Sequence, residues 1–243
     1  MSGGDELLRL AIDAHGGEAR WSAVRALDLR YRAGGLALAT KMRGRGLMPF
    51  DIRVEAREPR VTFRSYPRQG QRGVLDGRSV RIETDAGELV AARDEPAREF
   101  RRPRRLVRWD DLDFLYFGAY AMWGYATAPF HLARPGVELE ELPPWREDGE
   151  EWRRLRVRYP PELPVHSREQ VFHYDERGLV RRNDYTAEAF GGWAKACHYS
   201  YDHRAFDGIV FPTRRRVHPR RGNGRPLRAV TIIAIEVESV RAD

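Results

Sequence analysis

The chain has 243 residues, 42% of them apolar, one cysteine and a formal net charge of +7. That length fits one large domain, 1–243, and the lone Cys197 excludes an intramolecular disulfide and a cysteine-cluster metal site. Nearly all of the 43 cationic residues are arginine and lie among acids, as in Arg57-Glu58 and Arg146-Glu147, so they predict solvated strand faces; no nucleic-acid signature, and hence no nucleic-acid partner, is read.

In chain order, Asp5 to His15 has helical spacing, with Leu7, Leu8, Ala11, Ile12 and Ala14 as its stripe and Gly16-Gly17 as its stop. A second short helix is predicted over Glu18 to Arg25, which places the N-terminal helices within 5–25. The opening MSGGDELLRLAIDAHGG has no basic segment followed by an apolar one, so no secretory signal is read and a cytoplasmic location is expected. Strands then begin. Ala26 to Ala33 alternates Leu27, Leu29 and Tyr31 against Asp28, Arg30 and Arg32, the half-buried pattern. Further strands are predicted near Leu36–Arg43, Asp51–Ala56, Arg60–Tyr66, Arg72–Leu75, Ser79–Thr84 and Glu88–Ala92, with turns such as Asp76-Gly77 between them.

The middle of the chain differs. Phe114 to Ala133 carries no formal charge, close to the length of a bilayer span. Its glycines, tyrosines and Pro129 argue against a span, so no membrane span is expected. Asp110 and Asp113 read as a helix cap, which predicts a central aromatic helix over 111–128. Being apolar all round, it must be covered on several sides, as a plug across a curved sheet. After Pro143-Pro144 the strands resume at Glu151–Arg158. His166–Tyr185 and Ala196–Arg220 each read as strand, turn, strand, and Val230–Val240 closes the series. The fold class expected is α+β: a strongly curved antiparallel sheet of about ten strands, an unclosed β-barrel, with helices against its concave face.

The segments Tyr174–Tyr185 (YDERGLVRRNDY) and Phe206–Val217 (FDGIVFPTRRRV) resemble the LolA/LolB-like superfamily of bacterial lipoprotein carriers and their sensor-domain relatives. The resemblance covers roughly the last 80 residues. It implies an unclosed barrel and an apolar cavity for acyl chains or other apolar ligands, and it carries over no catalytic residue.

Few chemical signatures are present. There is no GxGxxG, no phosphate loop and no GxSxG elbow, so no cofactor is expected. His166 and His173 stand at odd separation and point to opposite faces of one strand, so no metal is expected either. His198 and Asp202 share a face but sit roughly 13 Å apart along the strand. These features predict a ligand site between the central helix and the strands around 166–174, 184–185 and 198–203. Trp109, Tyr116, Tyr120, Trp123, Tyr185 and Tyr199 are its aromatic candidates and Arg168 its polar handle. His173, His198 and Asp202 are the acid/base candidates should it catalyse. The reading is a soluble protein that binds a hydrophobic or aromatic small molecule. Two alternatives stay open: a cofactor-independent enzyme (cyclase, isomerase or hydrolase-like) using the same cavity, and a sensor or interaction module.

Overall fold

The computed structural model describes residues 3–43 and 46–243. Helices α1 (Gly3–Ala14) and α2 (Gly17–Ser22) come first. α1 buries Leu7, Leu8, Ala11 and Ile12, one stripe at helical spacing. It ends at Gly16, whose φ of 120° favours glycine. A Cβ there would also lie 2.3 Å from the Gly208 carbonyl oxygen.

The first meander is β1 (Ala26–Gly34), β2 (Met48–Glu55), β3 (Arg60–Phe63), β4 (Gln71–Asp76), β5 (Ser79–Thr84) and β6 (Leu89–Asp94). A short helix, α3 (Leu36–Ala39), interrupts it. The chain then passes through α4 (Pro96–Glu99) into α5 (Asp111–Thr127). The second meander is β7 (Glu138–Glu147), β8 (Glu150–Arg158), β9 (Glu169–Tyr174), β10 (Val180–Thr186), β11 (Lys195–Phe206), β12 (Ile209–Pro219) and β13 (Ile233–Ala242).

Among the described residues these form one thirteen-stranded sheet in the order β6-β5-β4-β3-β2-β1-β13-β12-β11-β10-β9-β8-β7. Its ladders are antiparallel throughout. The first and last strands pair at its centre, Leu29 opposite Val240, while β6 and β7 remain unpaired edges. The architecture is therefore an unclosed antiparallel barrel of the α+β class, with more strands than the ten or so expected. The charged outer faces are laddered by cross-strand ion pairs such as Arg53–Asp28 (3.1 Å), Arg72–Glu83 (2.7 Å) and Arg156–Glu140 (2.7 Å).

Three local expectations fail for identifiable reasons. Leu36–Arg43 is not a strand. Leu-Ala-Leu-Ala alternates like one, but all four are strong helix formers, and the turn at Gly35 (φ 135°) starts α3. Pro143-Pro144 does not delay the strands; it lies inside β7, an edge strand with a register shift between Leu142 and Trp145, where proline is tolerated. His166 precedes β9 instead of belonging to it.

α5 is what the sheet encloses. Asp110 caps it in a reciprocal capping box with Asp113, and Arg93 bonds both carboxylates, to Asp113 at 2.6 Å and to Asp110 at 2.8 Å. All of its residues except Asp111, Gly118 and Gly124 are buried. It packs directly on β2–β6. Gly73 of β4 allows this approach: a Cβ there would lie 2.7 Å from Leu115 Cδ1. Trp123 is wholly buried and donates from Nε1 to the Glu55 carbonyl at 3.2 Å. Trp123→Ala is therefore expected to destabilise by about 3–5 kcal/mol, the range for large aromatic truncations. A urea unfolding curve measures it, and a loss under about 0.5 kcal/mol would show that α5 is peripheral.

Candidate functional site

On its other flank α5 faces β9–β13 across a cleft. Ala121 and Tyr125 divide the cleft into two halves. One half is apolar, bounded by Tyr31, Phe50, Phe117, Met122, Ile233 and Ile235, with a free volume of about 40 Å³. The other is polar, bounded by His166, Gln170, Asn183, His198, Ser200 and Arg215, with about 30 Å³. Broader hollows of about 510 Å³ lie around Arg30 and Arg64 and around Arg158 and Arg168. They are charged furrows on the outer surface, with no convergent buried groups. The cleft beside α5 is the candidate site.

The inward positions follow from strand alternation. Gln170 and Phe172 on β9, Asn183 and Tyr185 on β10, His198 and Ser200 on β11, and Arg215 and Val217 on β12 lie on one face. The register confirms it: Asn183 stands opposite His198, and Ser200 opposite Arg215. A hydrogen-bonded row crosses the cleft floor. His166 Nε2 lies 2.6 Å from Tyr125 Oη, Tyr125 Oη 3.0 Å from Tyr185 Oη, and Tyr185 Oη 3.4 Å from His198 Nδ1. The His166 and Tyr185 rings stack at 4.1 Å. Asn183 Nδ2 donates to Gln170 Oε1 at 2.9 Å. His166 Nδ1, His198 Nε2 and Asn183 Oδ1 are buried yet have no hydrogen-bond partner in the structure, which is uncommon for buried polar atoms.

Arg215 is 7% exposed. It donates to Tyr125 O at 3.1 Å and to Ser200 Oγ at 3.4 Å, and sits 5.0 Å from the Tyr125 ring centroid. Among the described residues no carboxylate reaches it within ion-pair distance. Burial pulls its pKa down to about 10, so it stays cationic at neutral pH. Burial holds His166 down at about 3, and burial together with the Arg215 charge holds His198 well below its ordinary value. The row is therefore neutral beside one cation.

The candidates from the sequence are scattered. Tyr120, Tyr185 and His198 stand at the cleft. Trp123 and Tyr116 are core residues, the latter packed on Phe100 and Tyr120. Trp109 fills the base of α5 against Phe117 and Phe190. Arg168 is exposed at the outer surface. Asp202 is exposed too, at φ 55°, and pairs with Arg214 at 2.7 Å. His173 and Tyr199 point to the opposite face of the sheet from His198, because each is an odd number of strand steps away in register. They belong to a second buried cluster with Trp152 and Cys197. In it Arg182 bonds Asp184 at 2.6 Å and Glu147 at 2.7 Å, under the Gly224 carbonyl. Arg215, His166, Tyr125 and Asn183 were not chosen from sequence. Arg215 hides in Arg214-Arg215-Arg216, read as solvated, although its period-two spacing from Phe211 and Val217 was a usable signal.

No helix among the described residues is long and apolar enough to cross a membrane. No group of three or more His, Cys, Asp or Glu among them is arranged to hold a metal ion. No family model and no curated protein matches the chain. Solved structures do. A LolA superfamily protein from Nitrosomonas europaea aligns with TM-score 0.56 at 10% identity, over 99% of this chain and 93% of that one. A DUF1329 family protein from Desulfovibrio piger aligns with TM-score 0.53 at 10% identity, over 100% and 94%. At this identity the likeness is one of fold, and the fold is LolA-like.

Burial lowers the pKa of every histidine in the chain, to about 4 for His15 and His203 and about 3 for His131 and His166. The unfolded chain takes up protons near pH 6.5 that the folded protein refuses until much lower pH, so stability falls as pH drops below 6.5. Asp113, pushed up to about 6 by burial, acts in the opposite direction but offsets only one such group. Urea unfolding at pH 7 and pH 5 is expected to show the loss. His166→Gln should make it shallower by up to about 1.4 kcal/mol per pH unit; an unchanged slope would mean His166 takes up its proton in the fold at the same pH as in the unfolded chain.

Proposed function

We propose that the protein binds one apolar small molecule between α5 and strands β9–β13, as a carrier or store. The observation that supports this is the two-part cleft itself, with an apolar slot continuous through Ala121 and Tyr125 with a few convergent polar groups. Small-molecule sites have that composition. The free volume in this conformation is far below the roughly 300 Å³ of an occupied ligand pocket. Binding therefore involves moving α5 away from β9–β13, the side on which it is not packed directly on the sheet. The fold is one in which a LolA superfamily protein is a structural neighbour, and an apolar ligand agrees with it.

Acid/base catalysis is less well supported. A catalytic base works best with a pKa near the working pH, whereas His166 and His198 are held far below 7. Asp202, His173 and Arg168 lie outside the cleft.

Gly124 offers a clean test. It lies on α5 at the cleft, and an added Cβ there would meet nothing within 4 Å. Gly124→Leu should therefore fill the cleft while raising helix propensity by somewhat under 1 kcal/mol. With the neutral dye Nile red, the unaltered protein is expected to show saturable, blue-shifted fluorescence. Gly124→Leu should weaken it by about tenfold or more, equivalent to about 1.4 kcal/mol, with no loss of melting temperature. Absence of saturable dye binding to the unaltered protein would sink the proposal.

A further inference from the structure

Among the described residues three guanidiniums are buried, Arg105, Arg182 and Arg215, and only the first two meet carboxylates, Arg105 at Asp110 and Asp113. Arg182, on the outer face of the sheet, has two carboxylates, Asp184 and Glu147. Arg215, on the inner face, has a carbonyl, a hydroxyl at 3.4 Å and an aromatic ring, but no carboxylate among the described residues. A buried cation without a counter-charge is costly, and a fold that builds a full ion cage around Arg182 has the means to do the same for Arg215. His198 Nε2, His166 Nδ1 and Asn183 Oδ1 are buried without a partner, and their residues line the same half of the cleft as Arg215.

The hydrogen-bonded row has two possible senses, since each neutral histidine carries one proton. In one sense His166 Nε2 donates to Tyr125, Tyr125 to Tyr185, and Tyr185 to His198 Nδ1. That leaves the proton of His198 on Nε2, a free donor next to Arg215. The reverse sense leaves Nε2 as an acceptor. An anion in the cleft selects the first sense and gains a second donor from it.

Resting on the reading of the cleft as an apolar-ligand site, we infer that its ligand is an acidic amphiphile: a carboxylate seated on Arg215 and His198, with an apolar body lying past Ala121 and Tyr125 in the slot of Tyr31, Phe50, Met122 and Ile235. A carboxylate is chosen because it is small and planar, matching the fork of a guanidinium, and the polar half of the cleft holds only about 30 Å³.

The experiment compares tetradecanoic acid, its methyl ester and tetradecanol, all below their aggregation limits at neutral pH, as displacers of Nile red from the full chain. The acid is expected to compete at about tenfold to hundredfold lower concentration than the alcohol or ester, the scale of a charged hydrogen bond. Arg215→Met should abolish that preference while the dye still binds. It should also raise the melting temperature of the ligand-free protein, because it removes an unpaired buried charge. A merely structural Arg215 would instead lower it. His198→Gln should reduce the preference in part, and serves as the second variant should Arg215→Met fold poorly. Equal competition by acid, ester and alcohol on the unaltered protein overturns the inference and leaves the apolar-ligand proposal standing. No saturable dye binding to the unaltered protein overturns both.

Discussion

An α-helix with no polar side has no stable place on a surface, and α5 has none. Its enclosure constrains the whole architecture. The chain leaves one edge of the sheet at β6, runs through α5 and rejoins the opposite edge at β7. The two meanders then return to the centre, where β1 and β13 pair. Here the connection between the two edges crosses the inner face of the sheet, and β6 and β7 stay unpaired. The open barrel and the buried helix are thus two aspects of one arrangement. The capping box of Asp110 and Asp113, with Arg93 on both carboxylates, fixes where the helix begins.

The helix does not fill the interior evenly. On β2–β6 the fit is close, to the point that Gly73 and Gly118 are set against Leu115 and Phe63. On β9–β13 the space is taken by long polar side chains from both walls, and these do not satisfy one another completely. Polar groups in a core are tolerated when paired and costly when not. In the outer cluster the Arg182 charge is met by Asp184 and Glu147. In the inner cluster the Arg215 charge has no carboxylate partner among the described residues, which is what makes it the candidate site.

Much of the fold was legible because period-two and period-3.6 patterns are set by burial, and burial here is strongly layered. The capping box was readable from Asp110 and Asp113 alone. The failures lie where two forces compete over few residues. Leu36–Ala39 alternates like a strand yet consists of helix formers, and Pro143-Pro144 breaks a central strand but not an edge one. The site was legible only in part. His198 and Tyr185 were found because their predicted strands alternate polar with apolar residues beside an aromatic helix that needs covering. Arg215 was missed because a run of three arginines suggests water, although alternate strand residues face opposite sides whatever their charge. Tyr199 and His173 were misplaced because buried aromatic and histidine side chains occur on both faces of this sheet. Sequence alone did not reveal that the segment carrying Gly224 and Arg228 covers the outer one.

The same cluster bears on stability. Seven histidines held neutral and one arginine held without a counter-charge are each unfavourable to folding relative to apolar side chains of similar size. They are sustained by a core that runs from α1 through α5 to β12. On the outer face His173 lies between Trp145 and Trp152, and His218 Nδ1 lies 2.8 Å from the Val230 carbonyl oxygen. The inner-face pair, His166 and His198, is bound into a row in the polar half of the cleft, which Arg215 also lines. Where an unfavourable arrangement is concentrated at one end of an apolar slot, a ligand that supplies the missing charge and covers the slot relieves both deficits together. The stability withheld from the ligand-free fold becomes available as binding free energy.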